Sequence, residues 1–68
     1  MTAGDVPIAE VPGVGRVAAR ALAERGVTTL AQVASLTEAE LHGVHGVGPK
    51  AVRVLRDALE ESGMRFRA

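Results

Sequence analysis

Apolar residues recur at helical spacing in the first half of the chain. Positions 16–25 are rich in alanine, leucine and arginine, which are strong helix formers, and Gly26 follows where glycine commonly ends a helix. Thr28 or Thr29 can then cap a short connector helix that extends to Ser35. The pattern predicts two helices here, separated by a glycine turn.

The second half of the chain carries clearer helix boundaries. Thr37 and Glu40 have the reciprocal spacing of a capping box, which starts a short helix that ends near Gly43. Pro49 suits the first turn of the longest helix, which should run to about Ser62. The apolar residues of this last helix form one buried stripe: Val52, Leu55 and Leu59.

An internal repeat relates the two halves. Gly13 and Gly46 are 33 positions apart, and so are Gly15 and Gly48. The same offset relates further pairs of like residues: Val11 and Val44, Val14 and Val47, Ala18 and Ala51, Arg20 and Arg53, Leu22 and Leu55. It also predicts a short helical turn over 7–10, before the first glycine pair. Repeated units of this kind bury their apolar faces against each other, so we expect one shared core.

The chain has the length of one small domain. A domain of 68 residues has room for a modest core and not for a deep catalytic cavity. We predict an all-α fold of five short helices without a sheet, in which two motifs of helix, hairpin and helix are related by pseudo-symmetry. Its predicted parts are a flexible N-terminus over 1–6, a domain over 7–66 with repeats over about 7–26 and 38–62 and a connector helix over about 29–35, and a tail over 67–68.

Composition excludes several classes of protein. The chain has no cysteine, which excludes disulfides and thiolate metal sites, and Phe66 is its single aromatic residue, so the core must be aliphatic. No apolar run approaches the roughly 20 residues that cross a membrane. The first five residues lack the basic and then apolar character of a signal peptide. We therefore expect a soluble cytoplasmic protein with no membrane contact.

The charges are balanced in number but not in position. The formal net charge is zero, yet positions 11–23 and 41–56 contain no acidic residue. These two windows hold five of the eight basic residues: Arg16, Arg20, Lys50, Arg53 and Arg56. Such an asymmetry predicts one positive face on a neutral molecule. The alternative is that these are ordinary solvated charges on helix surfaces.

The glycine pairs suggest a binding site for anions. In each pair, the first glycine permits a turn with positive φ. The second has no side chain, so the backbone can closely approach a partner helix or a phosphate. A helix begins directly afterwards, and its unpaired N–H groups and positive dipole end favour a phosphate. The amides of 13–17 or 46–50 would hold that phosphate, with Arg20 or Arg53 adding charge one turn further along. Such contacts position a protein on nucleic acid without reading bases.

Other chemistry finds little support. Gly13 to Gly15 is not followed by a third glycine or preceded by a strand, and 43–50 lacks the Gly-Lys-Ser/Thr ending of a nucleotide-binding loop. His42 and His45 have no third metal ligand nearby, and His45 fits better at the hairpin surface. No nucleophile or acid–base pair converges, so we expect no enzymatic activity.

Two features have two interpretations each. Val14 and Val47, between the glycines, either anchor the hairpins to the core or stand exposed on a partner surface. The segment 64–67 alternates apolar and basic residues. Either its apolar side chains close the bottom of the core while its arginines are solvated, or the arginines extend the positive face as a short arm.

These motifs resemble a known family. Pro-Gly-Val-Gly before an alanine-rich helix, and Leu-His-Gly-Val-His-Gly-Val-Gly-Pro-Lys-Ala, are similar to the SAM-like tandem helix-hairpin-helix fold over about 7–66. The chain also looks like small bacterial DNA-binding proteins of that fold and the C-terminal domain of the bacterial RNA polymerase α-subunit. The resemblance implies that paired hairpins bind the backbone of duplex DNA with little sequence preference. It also implies that backbone carbonyls of a hairpin can hold a monovalent cation.

The second hairpin is the closer match to the family. It has the favoured glycine, apolar residue, glycine and lysine at Gly46, Val47, Gly48 and Lys50. In the first hairpin Val17 occupies the lysine position and the basic residue is displaced to Arg16. The resemblance therefore implies two hairpins of unequal strength.

Together the residues predict a monomeric, non-enzymatic module that binds double-stranded DNA and needs no cofactor. The alternatives are RNA or branched DNA as the ligand, or a protein–protein adaptor of the same fold that presents an apolar patch. If DNA is the partner, the protein should be associated with the nucleoid. The candidate DNA-binding residues are Gly13, Val14, Gly15, Arg16, Arg20, His45, Gly46, Val47, Gly48, Lys50 and Arg53.

Overall fold

A computed structural model describes residues 3–68 and shows an all-helical chain. Its four α-helices are α1 (Arg16–Glu24), α2 (Leu30–Ala34), α3 (Glu38–His42) and α4 (Pro49–Glu61). Two 3-10 turns precede them, over Ala3–Asp5 and Ile8–Glu10. The described residues form no strand, and an isolated bridge joins Pro7 to Thr29. The all-α fold is confirmed. The fifth helix, predicted before the first hairpin, is a short 3-10 turn over Ile8–Glu10.

The two short helices begin with capping boxes made by their own side chains. At the start of α3, the Thr37 N–H donates to Glu40 Oε1 at 2.8 Å and the Glu40 N–H donates to Thr37 Oγ1 at 3.0 Å. Thr29 and Gln32 make the same reciprocal pair at the start of α2. The predicted capping box is confirmed, and Thr29 rather than Thr28 caps α2.

The two longer helices end in the same way. Gly26 and Gly63 follow α1 and α4, and each lies in the left-handed region of φ. The residue after each glycine donates its N–H back into the helix, to the Leu22 carbonyl at 2.9 Å and to the Leu59 carbonyl at 2.7 Å. This is the Schellman arrangement, in which glycine releases the chain from the helix. The predicted helix ends are therefore confirmed.

One aliphatic core lies between the two repeats. Its members include both partners of the pairs Ile8 and Leu41, Val14 and Val47, Ala18 and Ala51, and Leu22 and Leu55. The remaining buried residues come from α2, α4 and the second hairpin: Leu30, Val33, Val44, Val52 and Leu59. The predicted shared core and the buried stripe of α4 are confirmed. Val14 and Val47 anchor their hairpins to it, so only their backbone atoms face outward.

The N-terminal segment is held against the connector helix α2. Residues 3–5 form a turn that packs on α2, and the Leu30 N–H donates to the Val6 carbonyl at 3.1 Å. The Ile8 N–H donates to the Thr28 carbonyl at 2.9 Å. The expected flexibility of 1–6 falls partly on Met1 and Thr2, which lie outside the described residues. The two hydrogen bonds hold Val6 and Ile8 against the start of α2, and flexibility of the N-terminus stays a prediction.

The C-terminal segment packs on the domain and does not form an arm. Met64 and Phe66 are half-buried against the core, as one interpretation predicted. Arg67 donates its backbone N–H to the Leu36 carbonyl at 2.9 Å and its guanidinium to the Ser35 carbonyl at 3.1 Å and to Glu40 Oε1 at 3.0 Å. Arg67 therefore ties the tail to the link between α2 and α3 and does not extend a positive face.

Candidate nucleic-acid interface

Each glycine hairpin packs against the helix of the other repeat. A β-carbon added at Gly13 would lie 3.2 Å from Val54 Cγ2 of α4, and one added at Gly46 would lie 3.0 Å from Ala21 Cβ of α1. Ala21 and Val54 are themselves equivalent positions of the repeat. The two hairpins are thus exchanged by a pseudo-twofold relation, and only glycine allows this close packing.

This cross-packing places each hairpin beside the helix of the other repeat. The first turns of α1 adjoin the second hairpin in a shallow surface depression lined by Val17, Arg20, Ala21, Glu24, His45 and Gly46. An equivalent depression joins the first hairpin to α4 and is lined by Val11, Pro12, Val54, Asp57, Ala58 and Glu61. Each hairpin is therefore continuous with a helix that starts at the other hairpin. Arg20 belongs to the first repeat in sequence but lies beside the second hairpin.

The second glycine of each hairpin faces open space. A β-carbon at Gly15 or Gly48 would meet no atom within 4 Å. The two backbones differ, however, because Gly15 has φ of 87° and ψ of 155°, whereas Gly48 has φ of −89° and ψ of 175°. The first conformation is confined to glycine, and the second is open to any residue. Close approach of a ligand at these glycines stays a prediction.

The helices that follow the hairpins begin without a side-chain cap, unlike α2 and α3. Gly15 and Gly48 are the capping residues of α1 and α4, and neither has a side chain to accept a hydrogen bond. Within residues 3–68, the first-turn amides of positions 16–18 and 50–51 have no hydrogen-bond acceptor. Pro49 has no N–H, so α1 presents three such amides and α4 presents two. Unpaired amides at a positive helix end attract anions.

The basic side chains near these helix starts are exposed and unpaired within the described residues. They are Arg16, Arg20, Lys50 and Arg53. The carboxylate contacts that do occur in residues 3–68 lie elsewhere, between Glu38 and His42 at 3.8 Å and between Glu40 and Arg67 at 3.0 Å. None of these four basic side chains forms an ion pair within 4 Å in residues 3–68, although Glu24 lines the same depression as Arg20.

Comparison with known proteins identifies the family. The sequence model of the SAM-like helix-hairpin-helix tandem matches residues 7–61. The chain belongs to the tandem helix-hairpin-helix family. Domains of this family commonly bind nucleic acid. A search of curated proteins found no match to this chain.

The remaining site residues of this tandem helix-hairpin-helix domain divide into two groups. Val14 and Val47 are 6% and 8% exposed, so their side chains belong to the core. His45 is exposed in the same depression as Arg20 and Val17. In the part of the chain that the structure describes, no three histidine, cysteine or carboxylate side chains are grouped as a metal site would require.

Sequence reasoning missed the exposure of one apolar residue in this domain. Val17 is 72% exposed, the one large apolar side chain so exposed in residues 3–68. Its place in the repeat was visible, because it matches Lys50, but a valine in an amphipathic helix is normally expected to be buried.

No described helix is both long enough and apolar enough to span a bilayer.

Proposed function

We infer that this domain binds the sugar–phosphate backbone of double-stranded DNA through its two hairpins, as a monomer and without enzymatic activity. The observation that carries this inference is the contrast between the helix starts. The chain caps α2 and α3 with Thr29 and Thr37, and leaves α1 and α4 uncapped beside exposed basic residues. A phosphate supplies the acceptor that these two helix starts lack.

The chemistry of each helix start suits a phosphate oxygen. The amide donors fix the position of the phosphate. Arg20 and Lys50 add electrostatic attraction, which water and salt weaken by screening. Val14 and Val47, which are buried between the glycines, anchor each hairpin to the core. The hairpins therefore lose little conformational entropy on binding. Contacts of this kind position a protein on the backbone and do not read the bases.

The pseudo-twofold relation of the hairpins favours a duplex over a single strand. The two strands of a duplex run antiparallel, so their backbones are also related by twofold axes. Two hairpins exchanged by such a relation therefore suit one strand each. Ala21 and Val54 keep the hairpins at a fixed separation by packing under Gly46 and Gly13.

An adaptor function receives less support from the surface. A protein-binding face of this size would present a contiguous apolar patch. Among residues 3–68, Val17 is the single exposed large apolar side chain, and exposed arginines stand next to it. A basic surface with one apolar residue is better matched to a polyanion.

The proposal is tested by fluorescence anisotropy with labelled duplexes of unrelated sequence. If about four phosphates are contacted, raising the salt concentration from about 50 to about 200 mM should weaken binding on the order of a hundredfold. Affinity should be nearly the same for all duplexes. Absence of binding at low salt would refute DNA binding, and strong preference for one sequence would refute the backbone mechanism.

A pair of charge-matched variants tests whether the hairpins are the site. K50A/R53A removes two positive charges from the first half of α4, and R25A/R65A removes two from exposed positions after the ends of α1 and α4. The first variant should bind about tenfold or more weakly, with a salt slope lower by about 2, since each phosphate contact contributes about 0.9. The second should bind almost as the wild type does. Equal losses would indicate diffuse charge attraction rather than binding at the hairpins.

A further inference from the structure

Val17 stands where the repeat would place a lysine. Its equivalent in the second repeat is Lys50, and both lie in the first turn of a helix that follows a hairpin. The side chain of Val17 is 72% exposed and therefore does little for the core. Its methyl groups are therefore accessible to a ligand, and covering them would remove apolar surface from water.

The surroundings of Val17 place it inside the candidate interface. Its Cγ1 atom lies 3.7 Å from the position that a β-carbon on Gly46 would occupy, so the side chain lies beside the second hairpin. Arg16 precedes it, and Arg20 is one turn further along α1. Both arginines are exposed and form no ion pair within the described residues. Glu24, one turn beyond Arg20, limits the cationic part of this surface to the first half of α1.

The order of basic and apolar groups on α1 complements a nucleic-acid strand. Along such a strand, each anionic phosphate is followed by a sugar whose carbon atoms form an apolar surface. Val17 and Arg20 are neighbours one turn apart on α1 and line the same depression, so if Arg20 pairs with a phosphate, Val17 meets the adjoining sugar. The hydroxyl at C2′ is the feature by which a protein distinguishes a ribose from a deoxyribose.

We propose that Val17 packs against a deoxyribose and makes this domain select DNA over RNA. The inference rests on the proposed function, because it assigns a role to one residue of that interface. A ribose would press its 2′-hydroxyl against the valine methyl groups, where the hydroxyl loses a hydrogen bond to water and gains none. Lys50 reaches a phosphate whichever sugar is present. The first turn of α1 therefore discriminates, and the first turn of α4 anchors.

The test compares three duplexes of one sequence: DNA, RNA and RNA with 2′-fluoro sugars. The fluorinated duplex keeps the A-form geometry of RNA but has no 2′-hydroxyl, so it separates helix shape from sugar chemistry. The wild type should bind the fluorinated duplex roughly threefold to tenfold more tightly than RNA, the size of one lost hydrogen bond. Val17→Thr has nearly the same shape and offers a hydroxyl to the ribose, and it should abolish this preference.

Two controls separate this role from general effects on binding or folding. Lys50→Met removes the charge at the equivalent position and should weaken binding to all three duplexes by a similar factor. Thermal melting should show that Val17→Thr, at an exposed site, folds as the wild type does. Equal affinity of the wild type for RNA and the fluorinated duplex overturns the inference, and so does a preference unchanged in Val17→Thr. Failure to bind any duplex at low salt would instead refute the proposed function.

Discussion

Leu22 and Leu55 occupy equivalent positions of the two repeats, and both are fully buried leucines. Val17 and Lys50 are also equivalent, but they differ in chemistry and have only their exposure in common. The same contrast holds along each hairpin. The first glycines both pack against the opposite helix, at Gly13 and at Gly46. Their second glycines, which face open space, differ in backbone conformation.

The comparison shows that the repeat is close at the centre of the core and looser elsewhere. Leucine fills the same volume at positions 22 and 55, whereas the buried Leu59 corresponds to Gly26, which ends α1. At exposed positions such as 17 and 50 core packing does not dictate the residue, so a difference there has to be tested for a role in binding.

The largest expected effect concerns the shared core. L22A and L55A should each lower the free energy of unfolding by about 2–5 kcal/mol, because each opens a cavity beneath a fully buried leucine. That loss is comparable to the total of about 3–10 kcal/mol expected for a chain of this length. Urea denaturation monitored by circular dichroism measures it. A cost below about 1 kcal/mol for either variant would contradict a core shared equally by the repeats.

The second prediction concerns the outer glycines, where equivalent substitutions should differ in cost. G15A forces a β-carbon into a backbone conformation that is confined to glycine and should cost about 1–3 kcal/mol. G48A keeps an ordinary backbone conformation and meets no atom within 4 Å, and it should change stability by less than about 1 kcal/mol, because the gain through the unfolded state opposes the poorer capping by alanine.

Thermal melting of the two glycine variants, side by side with the wild type, gives the comparison. Each variant is the matched control for the other, since both add one methyl group at the same position of a hairpin. Equal destabilisation would show that both hairpins require glycine at this position for the same reason.

Local signals accounted for most of the fold. The capping residues Thr29 and Thr37, the terminating Gly26, and the 33-residue offset each act within a few residues or through exact repetition, so the sequence alone predicted the helices and their shared core. For Val14 and Val47 the sequence left two interpretations open, and their burial decides for the one in which they anchor the hairpins.

Long-range contacts were not visible in the sequence. Arg67 reaches Ser35 and Glu40 across 32 and 27 positions, and the Leu30 N–H bonds to the Val6 carbonyl. Neither contact leaves a pattern in the local residues. The exposure of Val17 was missed for a related reason, because the width of the buried face of α1 depends on how the second hairpin packs against it.

The third prediction exchanges the residues that distinguish the hairpins. Lys50→Val gives the second hairpin the side chain of the first and should lower the slope of log affinity against log salt by about 0.9, the value of one phosphate contact. Val17→Lys should raise the slope by about 0.9. Anisotropy titrations on one DNA duplex at several salt concentrations provide the slopes. Unchanged slopes in both variants would show that these positions do not contact phosphates.

The smallest expected effect concerns the carboxylate of Glu40. The first repeat has no equivalent carboxylate, since the corresponding residue is Pro7. The hydrogen bond from the Thr37 backbone and then the Arg67 guanidinium lower the pKa of Glu40. Because folding lowers this pKa, the folded state binds a proton less readily than the unfolded state does. The contribution of Glu40 to stability is therefore present above the ordinary carboxyl pKa and is lost as the pH falls through the lowered value.

E40Q isolates this contribution, because glutamine can complete the capping box without carrying charge. At about pH 7 the variant should melt slightly below the wild type, and the difference should vanish as the pH falls through the lowered pKa of Glu40. E60Q removes an exposed carboxylate of α4 that forms no salt bridge within residues 3–68 and controls for net charge. A melting difference in E40Q that persists unchanged in acid would show that the charge of Glu40 does not hold the C-terminal segment. The hydrogen bonds by which Arg67 holds the C-terminal segment would then be those to Ser35 and Leu36, in the link between α2 and α3.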